Sequence, residues 1–249
     1  MSGGSGGATL LALESATGSV GAAVAVGGIV VAELTCRTAR RHVELLHPAI
    51  EEVCRIAGCS LSDLDGVAAD VGPGLFTGIR VGVAAAKAIA FGRQIPAVGV
   101  TSLDVLRAAA VDAGALVGED GVVPVVDLRR GEVAWSYRGN VGWGPPAALL
   151  ADLLADGPVE LAFVGDGAIR YAEELTDDRG PGWRVAGAML ASPPVASLAV
   201  LAGTALAEDR GVDAAHLAPC YLRGADARIN WTTRHDGGRG VPPRGGPPR

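Results

Sequence analysis

The sequence predicts an α/β protein of two similarly built domains, each a mixed sheet flanked by helices. Three observations predict it. A strand–turn–strand opening at residues 9–35 recurs at 122–138. Each opening is followed by alternating helix and strand signals. Apolar residues make up 49% of the chain but aromatics only 4%, so the core must be built from Ala, Val, Leu and Ile. Small side chains let helices lie close on sheets, which suits layered packing better than a loop-rich fold. The 249 residues suffice for domains of this kind.

The elements follow in order. Residues 1–7 are uncharged and Gly/Ser-rich, so 1–8 should be a flexible N-terminus. They lack the basic start and apolar run of a secretory signal, which predicts a cytoplasmic protein. An apolar run at 9–14, a polar turn at 15–19 and Val-rich runs at 20–26 and 29–35 predict three antiparallel strands. Gly27-Gly28 between the last two is a hairpin signal. Val43, Leu46, Ile50, Val53 and Ala57 then share one helical face, so residues 43–57 should form a helix stopped by Gly58. Pro48 interrupts it, and because the periodicity begins upstream the helix is expected to bend there.

A buried strand at 66–71, a turn at 72–74, a helix to Gly92, a strand at 97–100 and a helix at 103–113 complete the first domain. Thr101 or Ser102 would cap that last helix. The second domain reads as strands at 122–127, 132–138 and 160–164 with helices at 146–155, 167–175 and 196–208. The expected limits are 9–114 and 115–223, with the boundary near 114–121 and the last helix free to pack back on the first domain. Residues 224–249 are Gly, Pro and Arg without apolar periodicity, and are expected to be disordered.

Composition excludes several functions. A net charge of −6 is a poor basis for gripping nucleic acid, which needs clustered Lys and Arg. The tail arginines Arg234, Arg239, Arg244 and Arg249 read as a solvated segment rather than an RNA-binding one. Cys36, Cys54, Cys59 and Cys220 form no CxxC pair and sit in core-like sequence, so they read as inert, reduced, partly buried thiols. No stretch approaches the ~20 apolar residues of a membrane span. His42 and His47 are five apart, about 140° around a helix, and too divergent to share an ion. No GxSxG elbow is present, so nucleophilic catalysis has no visible centre.

The most informative segment is DVGPGLFTGIR, Asp70 to Arg80, between a buried strand and a helix. It is neither GxxxxGK[ST] nor GxGxxG. Gly72-Pro73-Gly74 reads as a rigid turn, and Thr77, Gly78 and Arg80 open the helix behind it. That helix carries Gly82, Ala84, Ala85, Ala86, Ala88 and Ala90, small on several faces, as expected of a helix packed on two sides. Val164-Gly-Asp166-Gly167 reads as a strand-end turn with Asp166 as a helix cap.

GPGLFTGIRVGVAAAKAIAF closely resembles the GPGSFTGVRIG…AKGLA signature of the TsaB (YeaZ) family. Other pieces agree in order: LALESATGSVGAAV with LAIDTAT…SVA, His42…LLHP with H…LLP, and LDGVA with DLDAIA. VGVTSL is similar to VGVSSL, DLRRGEVAW to DARMGEVYW, and PCYLR to PxYLR, so the resemblance runs from about Leu10 to Arg223. Leu75 replaces the family's usual Ser, and Glu14 its usual Asp. Chains of the catalytic TsaD type continue GPGLVGALLVG and carry a metal-binding HxxxH. Here Phe76-Thr77-Gly78-Ile79-Arg80 follows the turn, and Ser102-Leu103-Asp104-Val105-Leu106 stands where HxxxH would be.

The resemblance implies an actin/hexokinase-like (ASKHA, ribonuclease H-like) two-domain fold. It also implies a non-catalytic subunit in threonylcarbamoyladenosine modification of tRNAs that read codons beginning with A. Its partners would be a TsaD-like transferase and a TsaE-like ATPase, with a TsaC-like enzyme supplying threonylcarbamoyl-adenylate. Contact with tRNA would be indirect, through the complex. Self-association is expected when the partner is absent. No catalytic residue, metal or cofactor is expected of this chain, although a nucleotide at the partner junction is compatible with it. The alternative is a nucleotide- or metal-dependent enzyme of the same fold, glycopeptidase-like or a phosphotransferase. Leu45, Ala49, Gly82, Ala85, Ala86 and Ile89 on the first two helices are the expected partner contacts.

Overall fold

The computed structural model describes residues 7–38, 40–114, 118–154, 160–176 and 182–222. The expectations for residues 1–6, for part of the domain boundary and for the 224–249 tail lie outside these residues.

The first sheet contains β1 (Thr9–Glu14), β2 (Ser19–Val26), β3 (Ile29–Arg37), β4 (Gly66–Asp70) and β5 (Ala97–Val100). Its order is β3-β2-β1-β4-β5. The first three strands are antiparallel, and β4 and β5 run parallel to β1 and β4. Gly27 and Gly28 both take positive φ (58° and 81°), as a two-residue hairpin between right-twisted strands demands. β1 and β4 are buried almost throughout, the pattern of strands covered on both faces.

Helices α1 (His42–Ala57) and α2 (Phe76–Arg93) cover one face of this sheet. α1 runs continuously through Pro48, and Gly58 ends it in the left-handed region. α2 ends on Gln94 rather than at Gly92, with Gln94 itself left-handed. α3 (Ser102–Asp112) is capped by Thr101, whose hydroxyl accepts the Asp104 N–H at 3.1 Å; Ser102 is already helical and serves elsewhere.

The second sheet contains β6 (Val122–Arg129), β7 (Glu132–Tyr137), β8 (Asn140–Gly144), β9 (Leu161–Val164) and β10 (Trp183–Val185), in the order β10-β9-β6-β7-β8. Two of these strands, β8 and β10, are absent from the sequence reading. The single helix expected at 167–175 is instead two short ones, α5 (Asp166–Arg170) and α6 (Ala172–Thr176), separated by Tyr171. α4 (Pro146–Leu154) packs on β7 and β8.

The last helix, α7 (Val195–Ala207), returns to the first sheet and covers the face opposite α1 and α2. Its Val195, Leu198, Ala199, Ala202 and Ala205 pack with Leu10, Ala12, Ala23, Ala25 and Ala68. Helix α3 lies between the sheets: Val105 joins that layer, while Leu103, Leu106 and Ala110 pack with Val122 and Val126 of β6. Each sheet is thus sandwiched by helices, and α3 is common to both.

Candidate functional site

The first polar turn (15–18) connects β1 to β2, and the loop after β4 closes over it. Leu75 N–H donates to Ala16 O at 2.6 Å, Ser15 Oγ donates to Gly78 O at 2.8 Å, and His42 Nε2 bonds Thr17 O at 2.8 Å. A Cβ on Gly74 would collide with the Ala16 carbonyl, and one on Gly78 with that of Ser15. Gly82, the next position along that face, would meet Ser15 Oγ at 2.5 Å. The glycines of the GPG…G…G pattern therefore let α2 press directly on the turn. Gly72 and Pro73 are buried, Thr77 is exposed, and Pro73 follows a cis peptide bond.

Beneath this contact lie two fully buried acids, Glu14 at the end of β1 and Asp70 at the end of β4. Glu14 Oε1 accepts the Ala16 N–H at 3.0 Å, and Asp70 Oδ1 accepts Gly72 N–H and Ser102 Oγ–H, each at 2.7 Å. The free oxygens, Glu14 Oε2 and Asp70 Oδ2, have no other donor among the described residues. The two carboxyls are close enough to influence each other's ionisation. Burial raises the pKa of Glu14 well above the usual carboxylate range, and the neighbouring Asp70 raises it further. Burial likewise pushes Asp70 up, against the influence of Glu14 and its bonds to Ser102 and Gly72. These acids hold backbone and Ser102. Among the described residues no three His, Cys, Asp or Glu side chains are grouped to bind a metal.

The second turn, between β6 and β7, is built differently. Arg129, Arg130 and Gly131 all take positive φ. Buried Asp127 steadies them: its Oδ1 accepts Arg129 N–H at 2.8 Å, and its Oδ2 pairs with Arg129 at 2.9 Å and Arg170 at 3.2 Å. Asp166 Oδ1 accepts the Asp127 N–H at 2.9 Å rather than capping its own helix. Burial pushes the Asp166 carboxyl up to about 6.

The helix residues expected to meet a partner divide into two sets. Ala49, Gly82 and Ala86 are buried within this chain, Ala49 and Ala86 in the core under α1 and α2 and Gly82 against Ser15, so they are corrected from surface to interior positions. Their small side chains serve the close approach of α1, α2 and the first turn. Leu45, Ala85 and Ile89 are half-buried at the margin of that core. The outward face is carried instead by Val43 (68% exposed), Ala84, Ala88 and Phe91 (81% exposed). Helical periodicity places both faces of α2 in the sequence but cannot say which one meets the sheet, because Ala and Gly occupy both.

Arg80 links two of the sequence motifs. Its guanidinium lies 3.6 Å from the Phe76 ring centre, and its Nε donates to Tyr221 Oη at 2.8 Å. Cys220 N–H donates to Val71 O at 2.7 Å, so residues 219–222 dock beside the GPG loop. His42 and Ser102, which the sequence offered only as a motif residue and a cap candidate, reach the first turn and Asp70. Buried His42 ties α1 to the first turn, whereas exposed His47 pairs with Glu51 at 3.4 Å.

Residues 23–142 match the family model described as TsaD: tRNA N6-adenosine threonylcarbamoyltransferase. The tRNA threonylcarbamoyladenosine biosynthesis protein TsaB of Escherichia coli is 32% identical over 51% of this chain, a match spanning about half (53%) of that relative's length. An uncharacterized Mycobacterium tuberculosis protein, Rv3421c, is 33% identical over 88% of this chain and 94% of its own. TsaB of Bacillus subtilis is 27% identical over 90% of this chain and 97% of its own. Among solved structures, YeaZ from Pseudomonas aeruginosa superposes with a TM-score of 0.70 at 28% identity, covering 86% of this chain and all of that one. The two helix-flanked mixed sheets are those of the actin/hexokinase-like fold, and the chain belongs to the TsaB (YeaZ) family.

Proposed function

We propose that this chain is a non-catalytic subunit that binds and organises a TsaD-like threonylcarbamoyltransferase, for threonylcarbamoyladenosine modification of tRNAs reading A-starting codons. The pathway comes from the names of its TsaB relatives. The observation that carries the subunit reading is the contrast between the two faces of α2. Its glycine face closes the first turn over Glu14 and Asp70, which engage backbone and Ser102. Its opposite face presents Ala84, Ala88 and Phe91 to solvent. An exposed apolar helix face suits assembly with another protein. A TsaE-like ATPase would join the complex through the transferase, and two copies of this chain would pair through the same helices when the transferase is absent.

The test is co-elution with the TsaD-type protein of the same organism. Ala88→Glu with Phe91→Asp should abolish co-elution while the isolated subunit keeps its circular dichroism spectrum and cooperative melting. Unchanged co-elution would remove α2 from the interface, and ATP turnover by this chain alone would overturn the non-catalytic assignment.

A further inference from the structure

The C-terminus of α1 brings two cysteines together. Gly58, at φ 70°, sends its N–H to Arg55 O at 3.3 Å, and Cys59 N–H reaches back to Cys54 O at 3.0 Å. These paired bonds define a Schellman cap, a geometry that sets the side chain just past the glycine against the one on the last helical turn. That contact is ordinarily made by two aliphatic residues. Here both positions are cysteine, and Cys59 packs against the cluster that contains Cys54. Cys54 belongs to the core under α1, whereas Cys59 packs on its edge, half-exposed. Both are free thiols in this structure. Close approach with the side chains converging is what a disulfide requires of its two residues.

We infer that Cys54 and Cys59 are a thiol–disulfide exchange site that closes to an intramolecular disulfide under a small-molecule disulfide oxidant. Cys59, the accessible member, attacks the oxidant's S–S bond, forming a mixed disulfide and releasing one thiol. Cys54 then loses its proton and attacks the Cys59 sulfur, which forms the Cys54–Cys59 bond and releases the second thiol. Two electrons and two protons pass from the protein to the oxidant. The site does not depend on the proposed partner. Burial and the adjacent Cys59 push the Cys54 thiol up to about 11, which suits it to the second, intramolecular step rather than the first.

The full-length protein is incubated with oxidised glutathione at neutral pH, quenched in acid, alkylated and digested with trypsin without reduction. Trypsin cuts after Arg55, between the two cysteines, so the disulfide must hold peptides 42–55 and 56–80 together until reductant is added. The expected result is that linked pair, with the free thiols of the folded protein falling from four to two. Cys59→Ser should lose the link and retain the native circular dichroism spectrum. Recovery of Cys54 and Cys59 as separately alkylated or glutathionylated residues in folded protein overturns the assignment. So does a link from either to Cys36 or Cys220, or a link that forms only in urea.

Discussion

The burial of Glu14 beside Asp70 makes part of the stability depend on pH. Free carboxyls of these types ionise near pH 4, and both groups are held above their ordinary values here, so the folded chain binds protons more tightly than the unfolded one. That contribution is complete in acid, below the unfolded values. It declines as pH rises through the raised folded values. Glu14→Gln keeps an oxygen for the Ala16 N–H and gives Asp70 an N–H donor at every pH. Urea unfolding across pH 5–9 should therefore show a flatter profile for the variant, with an advantage at the alkaline end of about 1.4 kcal/mol per unit of removed shift. Parallel profiles would mean that folding does not raise the pKa of the pair. The sequence marks each acid separately, one as a substitution in the opening motif and one as the start of the GPG segment. Their meeting is set by the parallel register Leu13↔Ala69, a long-range property with no local sign.

At the scale of elements, glycine has opposite meanings at two positions of α2. Gly78 faces the Ser15 carbonyl with no room for a methyl group, whereas Gly92 has nothing within 4 Å of its would-be Cβ. Gly78→Ala should cost about 1–3 kcal/mol through overpacking, while Gly92→Ala should add about 0.5–1 kcal/mol by lowering the entropy of the unfolded chain. Thermal melts of the two variants should shift in opposite directions, and a shift of the same sign would show that α2 does not press on the turn. Most elements were legible. Double glycine announced the β2–β3 hairpin, and 3.6-residue periodicity announced α1. The β7–β8 hairpin was not, because its turn is Arg138-Gly139 and arginine rarely adopts the positive φ (46°) that the turn requires. β10, three residues long, is too short to show alternation.

For the whole molecule, the decisive contact joins the two ends of the chain. α7 covers the face of the first sheet opposite α1 and α2, and its Val195 and Leu198 alone contribute roughly 3–6 kcal/mol by burial, comparable with the net stability of a domain at about 5–15 kcal/mol. A chain ended at Ala191 should therefore lose cooperative unfolding and bind a hydrophobic dye, whereas a compact, cooperatively melting fragment would show that the sheet stands without its cover. The fold class was readable from composition and order. The return of α7 was not fixed by them, because an apolar helix carries no mark of which sheet it will cover. The same crossing has a consequence during synthesis. At roughly 5–20 residues per second, translation completes α7 some 10–40 s after β1. For that interval Leu10, Ala12, Ala23 and Ala25 of the nascent polypeptide lack the cover that α7 later supplies, and an apolar sheet face stands open to water.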